Sequence, residues 1–221
     1  MDADLNQNTN QFSKHEDLQS QGNTVESKSN TVQQNIFYLK EIKAIVGLGN
    51  IGKEYKNTRH NVGFDFLDYI SNNSAFKENK KLRCLESNYI INNHKIILVK
   101  PITMMNNSGI CVNLFSKYYK INLENILVVH DDLDIELGNY KLQFARGPKA
   151  HNGVNSIEKI LKSKKFWRLR IGINNRTSKE KNDDFNSGAD YVLSRFTETE
   201  FSILVDVFRE IKHNLFDTFI Q

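Results

Sequence analysis

The sequence has no apolar stretch long enough to cross a lipid bilayer. A membrane-spanning helix needs about 20 consecutive, predominantly apolar residues, and the 221-residue chain contains no such run. The N-terminus also lacks the basic, apolar and cleavage regions that make up a secretory signal. The sequence therefore predicts a protein that is neither inserted in a membrane nor secreted.

Cysteine is almost absent as well. Cys84 and Cys111 are the only two, and they form neither a CxxC pair nor a zinc-finger spacing. This scarcity argues against a disulfide framework or a structural zinc site and is typical of a protein of the reducing cytoplasm. The chain contains no HExxH and no GxSxG motif, which argues against a zinc hydrolase and a covalent serine esterase. We expect neither a metal nor an organic cofactor.

Arginine is missing from the N-terminal stretch, which is crowded instead with Asn, Gln, Ser and Thr. Because this stretch shows neither helical nor strand periodicity, we interpret residues 1–40 as a disordered tail and residues 41–221 as one folded domain. Five acidic residues and no arginine argue against a transit peptide. Residues 1–40 carry a charge of −2 and the remainder +6. This mildly basic balance permits a polyanionic partner but suits many other proteins too.

After the tail, short apolar runs alternate with stretches of helical periodicity. The predicted strands are 42–48, 88–91, 95–100, 126–129, 140–144 and 169–173, and the predicted helices are 61–71, 108–119, 154–161 and 197–219. Ser108 is the expected N-cap of the second helix, and Thr197 with Glu200 is typical of a capping box. This alternation predicts an α/β fold, a single-domain three-layer sandwich whose mixed, mostly parallel sheet is flanked by helices. In such folds the chemistry gathers at the carboxyl ends of strands.

One glycine motif suggests a different function. Gly47, Gly49 and Gly52 match GxGxxG directly after a predicted strand, a pattern found in dinucleotide-binding enzymes. A dinucleotide fold needs a helix that opens at the glycines and an acidic residue at the end of the next strand. Here the glycines lead into a polar stretch, and the next acids, Asp65 and Asp68, fall on an amphipathic helix. The context therefore argues against a dinucleotide site.

Five separated segments, in this order along the chain, resemble the bacterial-type peptidyl-tRNA hydrolases. They are GLGNIGKEYKNTRHNVGFDFLD, KPITMMNNSG, VVHDDLDIELG, HNGVNSIEKIL and FWRLRIGI, and the likeness covers roughly residues 43–195. Agreement of several motifs in order is far more specific than any single match. The resemblance implies a monomeric enzyme that hydrolyses the ester between a peptide and its tRNA. It also implies direct attack by water, without a metal.

The resemblance assigns the catalytic chemistry to a histidine. His60 matches the family's general base, and a histidine, with an ordinary pKa of about 6.5, is largely neutral near pH 7 and can take a proton from water. Asp131 matches its orienting partner, although by position alone Asp132 and Asp134 compete for that role. Asn50 matches the residue that distinguishes blocked from free aminoacyl ends.

The remaining matches concern the substrate. Asn106 and Asn152 correspond to amides that bind the substrate, Tyr55 and Met104 to contacts with the end of the nucleic acid, and Lys141 and Arg170 to a phosphate clamp. Met105 and His151 are expected to line or support the pocket. The neighbouring run Lys162, Lys164, Lys165 and Arg168 adds positive charge that either contacts tRNA or is simply a solvated face.

The chain departs from the family pattern before His151. Relatives have a glycine-dominated run where this chain has Arg146–Ala150, and proline, lysine and alanine restrict the backbone there. We expect Arg146 and Lys149 to offer phosphate contacts instead. Ile51 replaces a usual proline and Met104 a common aromatic residue, and both changes look tolerable. The rival interpretation is a non-enzymatic RNA-binding relative of the same fold, against which the intact catalytic and amide residues argue.

Overall fold

The structure is a computed structural model, and it describes residues 40–72, 74–91, 94–176 and 188–217. The predicted N-terminal tail lies outside the described residues, apart from Lys40. The strands are β1 Ala44–Gly47, β2 Lys77–Asn79, β3 Cys84–Ile91, β4 His94–Pro101, β5 Ile126–Glu136, β6 Tyr140–Phe144 and β7 Trp167–Asn174. The α-helices are α1 Val62–Ile70, α2 Ser108–Tyr119, α3 Asn152–Leu161, α4 Gly188–Leu193 and α5 Glu198–Ile211, and a π-helical segment, Lys212–Asp217, follows α5.

Within the described residues the strands form one seven-stranded sheet in the order β2-β3-β4-β1-β5-β7-β6. β1 pairs in parallel with β4 and β5, and β5 pairs in parallel with β7. The outer pairs, β2 with β3, β3 with β4 and β6 with β7, are antiparallel. Five strands therefore point the same way, and only β3 and β6 oppose them. The predicted mixed, mostly parallel sheet is confirmed.

Apolar side chains cover both faces of the sheet. On one face Phe66 and Leu67 of α1 and Phe208 of α5 pack on alternate residues of the central strands. On the other face Phe115 of α2 and Ile157 of α3 pack on the intervening residues. This gives the three-layer sandwich that the alternation of elements predicts. No helix in the described ranges combines the length and hydropathy needed to span a membrane.

Several predicted boundaries shift. β5 continues to Glu136, so the histidine and acidic residues expected beyond the strand lie within it. Ser108 is not an N-cap; it is the first residue of α2, and its hydroxyl donates to the carbonyl of Met105. The predicted capping box of Thr197 and Glu200 is confirmed. The prediction missed two short elements, β2 and α4. Residues 92–93, between the antiparallel strands β3 and β4, and residues 218–219 of the predicted last helix lie outside the described residues.

The GxGxxG segment does not open a helix. Gly47 ends β1, and the next α-helix, α1, begins only at Val62, after two 3₁₀ turns. Gly47 instead lets α1 approach closely, because a Cβ there would lie 2.3 Å from the carbonyl oxygen of Gly63. Gly47 thus serves strand–helix packing, in agreement with the sequence argument against a dinucleotide site.

Asp65, in the first turn of α1, leads to a stability prediction. Burial, reinforced by the carboxylate of Asp68, raises the pKa of Asp65 from 3.8 to about 7. The folded chain therefore holds an extra proton between those two pKa values, and stability falls as the pH rises through that window. We expect Asp65→Asn to raise the free energy of unfolding by about 1–3 kcal/mol at pH 8. The gain at pH 4 should be much smaller, and urea unfolding at both pH values measures the difference. Equal effects at the two pH values would contradict the assignment.

Candidate active site

Asp131, in β5, is the centre of a hydrogen-bonded group of three side chains. Its Oδ1 accepts from Nδ1 of His60 at 2.8 Å and from Nε2 of His151 at 2.9 Å. All three residues are buried, with exposed fractions of 2% to 7%. Burial alone would raise the pKa of Asp131, but His151 and His60 outweigh it and hold this pKa well below its ordinary value. The carboxylate is therefore ionised.

The contacts of the two histidines fix where their protons lie. Nδ1 of His151 accepts the backbone N–H groups of Gly153 and Val154, at 3.1 and 3.3 Å, and so caps the start of α3. A nitrogen that accepts in this way carries no proton, so the proton of the neutral ring is on Nε2, which donates to Asp131. The ionised carboxylate of Asp131 can only accept, so His60 donates to it from Nδ1. In the neutral form of the ring the lone pair is then on Nε2, which has no hydrogen-bond partner among the described residues.

The neighbours of Asp131 have other contacts. His130 is fully buried, and its Nδ1–H donates to the main-chain oxygen of Asp131 at 2.7 Å. Burial, with the adjacent His151, lowers the pKa of His130 far below its ordinary value, so this ring is neutral. Asp132 accepts from Nε of Arg170 at 2.6 Å. Of the three acids that the sequence left in competition, the structure brings Asp131 against His60.

Asn50 is fixed on two sides. Its Oδ1 accepts the backbone N–H of Met105 at 2.7 Å. Its own N–H donates to Oδ1 of Asn61 at 2.8 Å, and Nδ2 of Asn61 donates back to the carbonyl of Asn50 at 2.9 Å. Because Asn61 directly follows His60, this reciprocal pair of hydrogen bonds holds the loop that carries Asn50 next to the segment that carries His60. Sequence reasoning missed Asn61, although it lies inside the TRHN motif.

A 3₁₀ turn before α2 meets the start of α3. A Cβ on Gly153 would lie 2.5 Å from Sδ of Met105, so only glycine permits this close contact. The contact brings the turn that carries Met104 and Asn106 next to the helix start that carries Asn152. All three of these residues are exposed, and Met104 adopts a positive φ of 59°. Contacts thus link four separated sequence motifs, since Asn50 meets Met105, Met105 meets Gly153, and the neighbouring His151 meets Asp131.

The two predicted clamp residues face each other across the sheet edge. Lys141 of β6 and Arg170 of β7 are register partners, Lys141 being exposed and Arg170 only 9% exposed. Besides Asp132, Arg170 binds Oε1 of Gln143 through Nη1 at 2.5 Å. Of its guanidinium nitrogens, only Nη2 has no partner among the described residues. Tyr55 is half-buried, on the 3₁₀ turn that follows the glycine segment.

The expectation that Arg168 adds to a basic surface is wrong. Its side chain is 2% exposed, donates to Oε1 of Glu158 at 2.8 Å and stacks 4.5 Å from the centre of the Phe166 ring. Arg168 is buried because α3 covers β7 at this point, and the arginine forms an internal ion pair with Glu158 of that helix. The three lysines of the same run, Lys162, Lys164 and Lys165, are exposed as expected.

The unusual loop before His151 keeps one glycine where the backbone requires it. Gly147 has a φ of 66°, and a Cβ there would lie 2.4 Å from Nη1 of Arg170. Arg146 and Lys149 are exposed, and Nζ of Lys149 is 3.6 Å from Asp134. The loop therefore covers the guanidinium of Arg170 with glycine backbone and presents two cations to solvent.

His60, Asp131 and His151 also form the one group in the described part of the chain whose ligand atoms are close enough for a metal, all within 4.8 Å of one another. An ion would have to bind Nε2 of His151 through a lone pair. That nitrogen carries a proton as long as Nδ1 caps α3, so metal binding would break the cap. The observed hydrogen bonds favour a site for proton transfer.

Comparison with known proteins identifies the family of the chain. Residues 44–221 match the family model described as peptidyl-tRNA hydrolase. The chain is 40% identical over 168 residues to the peptidyl-tRNA hydrolase of Mycoplasma mycoides subsp. mycoides. This alignment covers 76% of this chain and 87% of the relative. It is 46% identical over 158 residues to that of Francisella tularensis subsp. novicida, covering 71% and 80%.

A solved structure is similar over the same region. The crystal structure of peptidyl-tRNA hydrolase from Acinetobacter baumannii superposes with a TM-score of 0.72 at 34% identity, covering 82% of this chain and 90% of that chain. The sequence match and the fold thus agree over most of the described residues. The chain belongs to the peptidyl-tRNA hydrolase family.

Proposed function

We propose that this chain hydrolyses the ester bond between a peptide and tRNA in peptidyl-tRNA, with His60 as the general base that activates water. The observation that carries the proposal is the chain of contacts from His151 through Asp131 to His60. Because Nδ1 of His60 donates to Asp131, the lone pair of the neutral ring lies on Nε2, which has no hydrogen-bond partner among the described residues. A base held in this tautomer by an ionised carboxylate is suited to take a proton from water.

The proton and the electron pairs can be followed through the reaction. The water oxygen attacks the ester carbonyl carbon as its proton passes to Nε2 of His60, and Asp131 stabilises the imidazolium that forms. The tetrahedral intermediate then collapses, and the bond to the ribose oxygen breaks. The ribose oxygen takes the proton back from His60. The products are a tRNA with a free ribose hydroxyl and a peptide carboxylic acid, which loses the second proton of the water to solvent and becomes a carboxylate, and the base is regenerated.

The three asparagines supply uncharged hydrogen-bond donors and acceptors around this reaction. Asn106 and Asn152 are exposed on neighbouring segments, where their amides can bind the peptide backbone or the developing oxyanion. Asn50 is held rigidly by Met105 and Asn61, which suits it to distinguish a blocked amide from a free amine. Hydrolysis of free aminoacyl-tRNA would drain translation, so this discrimination is part of the function.

The rest of the predicted site binds the nucleic acid. Tyr55 and Met104 contact the acceptor end by stacking or packing, and Lys141 with Nη2 of Arg170 binds a backbone phosphate. Contacts of this kind carry no sequence information, so the enzyme acts on many tRNAs alike. We infer that it works as a monomer in the cytoplasm, where its two free cysteines stay reduced.

The substrate assignment is tested with two tRNA substrates that differ in one group. N-acetyl-aminoacyl-tRNA and free aminoacyl-tRNA of the same sequence are incubated with the wild-type protein, and the release of tRNA is followed. We expect rapid cleavage of the blocked substrate and slow cleavage of the free one. A protein that binds the blocked substrate without cleaving it would be the non-enzymatic RNA-binding relative, and the proposal would be wrong.

The exposed cations of the loop before His151 give a prediction about binding. If Arg146 and Lys149 contact phosphates, the double variant Arg146→Ala/Lys149→Ala loses up to two counterion-releasing contacts, so the slope of log affinity against log salt becomes shallower by about 1 to 1.5. We expect a higher KM and an unchanged kcat. Measurement of tRNA affinity at four salt concentrations gives the slope.

A control for this prediction removes the same charge elsewhere. Lys77 and Lys95 are exposed on β2 and β4, towards the edge of the sheet opposite to β6. We expect Lys77→Ala/Lys95→Ala to keep the wild-type salt dependence. Identical slopes in all three proteins would contradict a phosphate contact by the loop.

A further inference from the structure

One buried arginine holds the turn that carries His60 to the C-terminal part of the fold. Arg59, next to His60, is 6% exposed. Its Nη1 donates to the main-chain oxygen of Arg195 at 2.6 Å and to Oγ of Ser194 at 3.1 Å, and its Nη2 donates to Oε1 of Glu200 at 2.6 Å. All three acceptors lie between α4 and the first turn of α5, so the guanidinium spans that junction.

Aromatic rings and backbone contacts complete the attachment. The guanidinium carbon lies 4.4 Å from the centre of the Tyr191 ring and 4.9 Å from that of Phe196. The backbone N–H of Arg59 donates to the carbonyl of Ser194 at 3.0 Å, and that of Phe196 donates to the carbonyl of Asn57 at 3.1 Å. The turn before α1 is thus paired with residues 194–196 like a short piece of sheet.

The acceptor Glu200 is itself fixed by three further contacts. Its Oε2 accepts from the backbone and the hydroxyl of Thr197, which completes the capping box of α5. Its Oε1 accepts from Nδ2 of Asn175, just beyond the end of β7. Although burial works in the opposite direction, these donors and Arg59 lower the pKa of Glu200, so it is ionised. The arginine is therefore anchored to a rigid carboxylate.

We propose that Arg59 is a positioning residue, which sets the distance between His60 and Asp131 by holding the His60 turn to the junction of α4 and α5. The proposal rests on the proposed role of His60 as general base. It extends that role, because the segment that supports the His60 turn lies about 140 residues further along the chain, near its C-terminal end. Neither Arg59 nor Glu200 touches the reacting atoms in this scheme.

The geometry explains why arginine is needed. Its planar guanidinium presents donors in fixed directions and stacks on aromatic faces, whereas the lysine ammonium is a point charge that can meet only part of this set. A shift of about 1 Å in a catalytic group can cost about 100-fold in rate. A lysine at position 59 keeps the charge but loses part of the attachment, and the turn can then move away from Asp131.

The test uses the full-length protein and two readouts. For Arg59→Lys we expect kcat to fall by about 10- to 100-fold at 25 °C and KM to change by less than about threefold. The second readout is the NMR resonance of the His60 Nδ1 proton in its bond to Asp131, assigned by its loss in His60→Gln. We expect this resonance to shift or broaden in Arg59→Lys, and Glu200→Gln, which keeps an amide oxygen for the cap, to give the same changes.

Arg168→Lys is the matched control, because Arg168 is as buried as Arg59, pairs with Glu158 and stacks on a ring, but lies on the other face of the sheet. We expect it to lower Tm while leaving kcat and the His60 resonance unchanged. The proposal is overturned if Arg59→Lys and Glu200→Gln leave both readouts at wild-type values, or if Arg168→Lys alters them equally. If His60→Gln keeps its activity, the proposed role of His60 as general base is refuted. The resonance of the wild type and of Arg59→Lys would still show whether Arg59 positions His60 against Asp131.

Discussion

Replacement of His60 by glutamine is expected to lower kcat for N-acetyl-aminoacyl-tRNA by about 100- to 10,000-fold, the range that a positioned general base contributes. Glutamine keeps a polar side chain of similar size, so the fold and the affinity for tRNA should change little. The loss follows because an amide cannot accept the proton of the attacking water. Steady-state kinetics with excess substrate separate kcat from KM.

His94 provides the control for this substitution. It is an exposed histidine at the start of β4, and His94→Gln should hydrolyse the substrate at the wild-type rate. If His60→Gln keeps more than about a tenth of the wild-type kcat, another group supplies the base. His130 is not that group, since its ring is fully buried and its Nε2, which has no hydrogen-bond partner among the described residues, is not accessible to solvent.

Asp131→Asn is expected to lower kcat by at least about 100-fold. Both histidines donate to the same oxygen, Oδ1, and asparagine keeps one carbonyl oxygen that can accept from both. The substitution therefore removes the negative charge while leaving the hydrogen bonds possible. Without that charge the imidazolium of His60 loses its stabilisation in a buried site, where electrostatic interactions are strong.

Asp134 is the natural comparison for Asp131. It lies three residues further along the same strand, is exposed, and was one of the acids that sequence position alone could not exclude. We expect Asp134→Asn to leave kcat within about twofold of wild type, because loss of an exposed charge changes little. A larger loss in Asp134→Asn than in Asp131→Asn would mean that the orienting carboxylate has been misassigned.

The sequence predicts the layers of the fold because hydrophobic periodicity depends mainly on which faces are buried. The same rule explains why the predicted strand 126–129 ends too early, whereas β5 continues to Glu136. His130 and Asp132 are polar residues inside a strand, and each is buried through a specific contact with the following carbonyl or with Arg170. Periodicity treats polar residues as the end of a buried strand, so it placed the boundary too early.

The site is predicted less completely, because its supports are long-range. The pairing of His60 with Asp131 was expected from the family resemblance. No local pattern indicates that His151 caps α3 while donating to Asp131, or that Arg59 meets Glu200 across the fold. Arg168 shows the converse, since its charge suggested a surface whereas α3 covers it. Such contacts depend on which elements the fold brings together.

Whether His60 and Asp131 act as one unit in hydrolysis is tested most directly by a double-variant cycle. The measurement is the single-turnover rate of N-acetyl-aminoacyl-tRNA cleavage, with enzyme in excess, by the wild type, His60→Gln, Asp131→Asn and the double variant. Residues that act through one proton transfer give strongly non-additive losses. We predict that the double variant cleaves within about threefold of His60→Gln alone. Multiplicative losses, or a wild-type rate in His60→Gln, would contradict the mechanism.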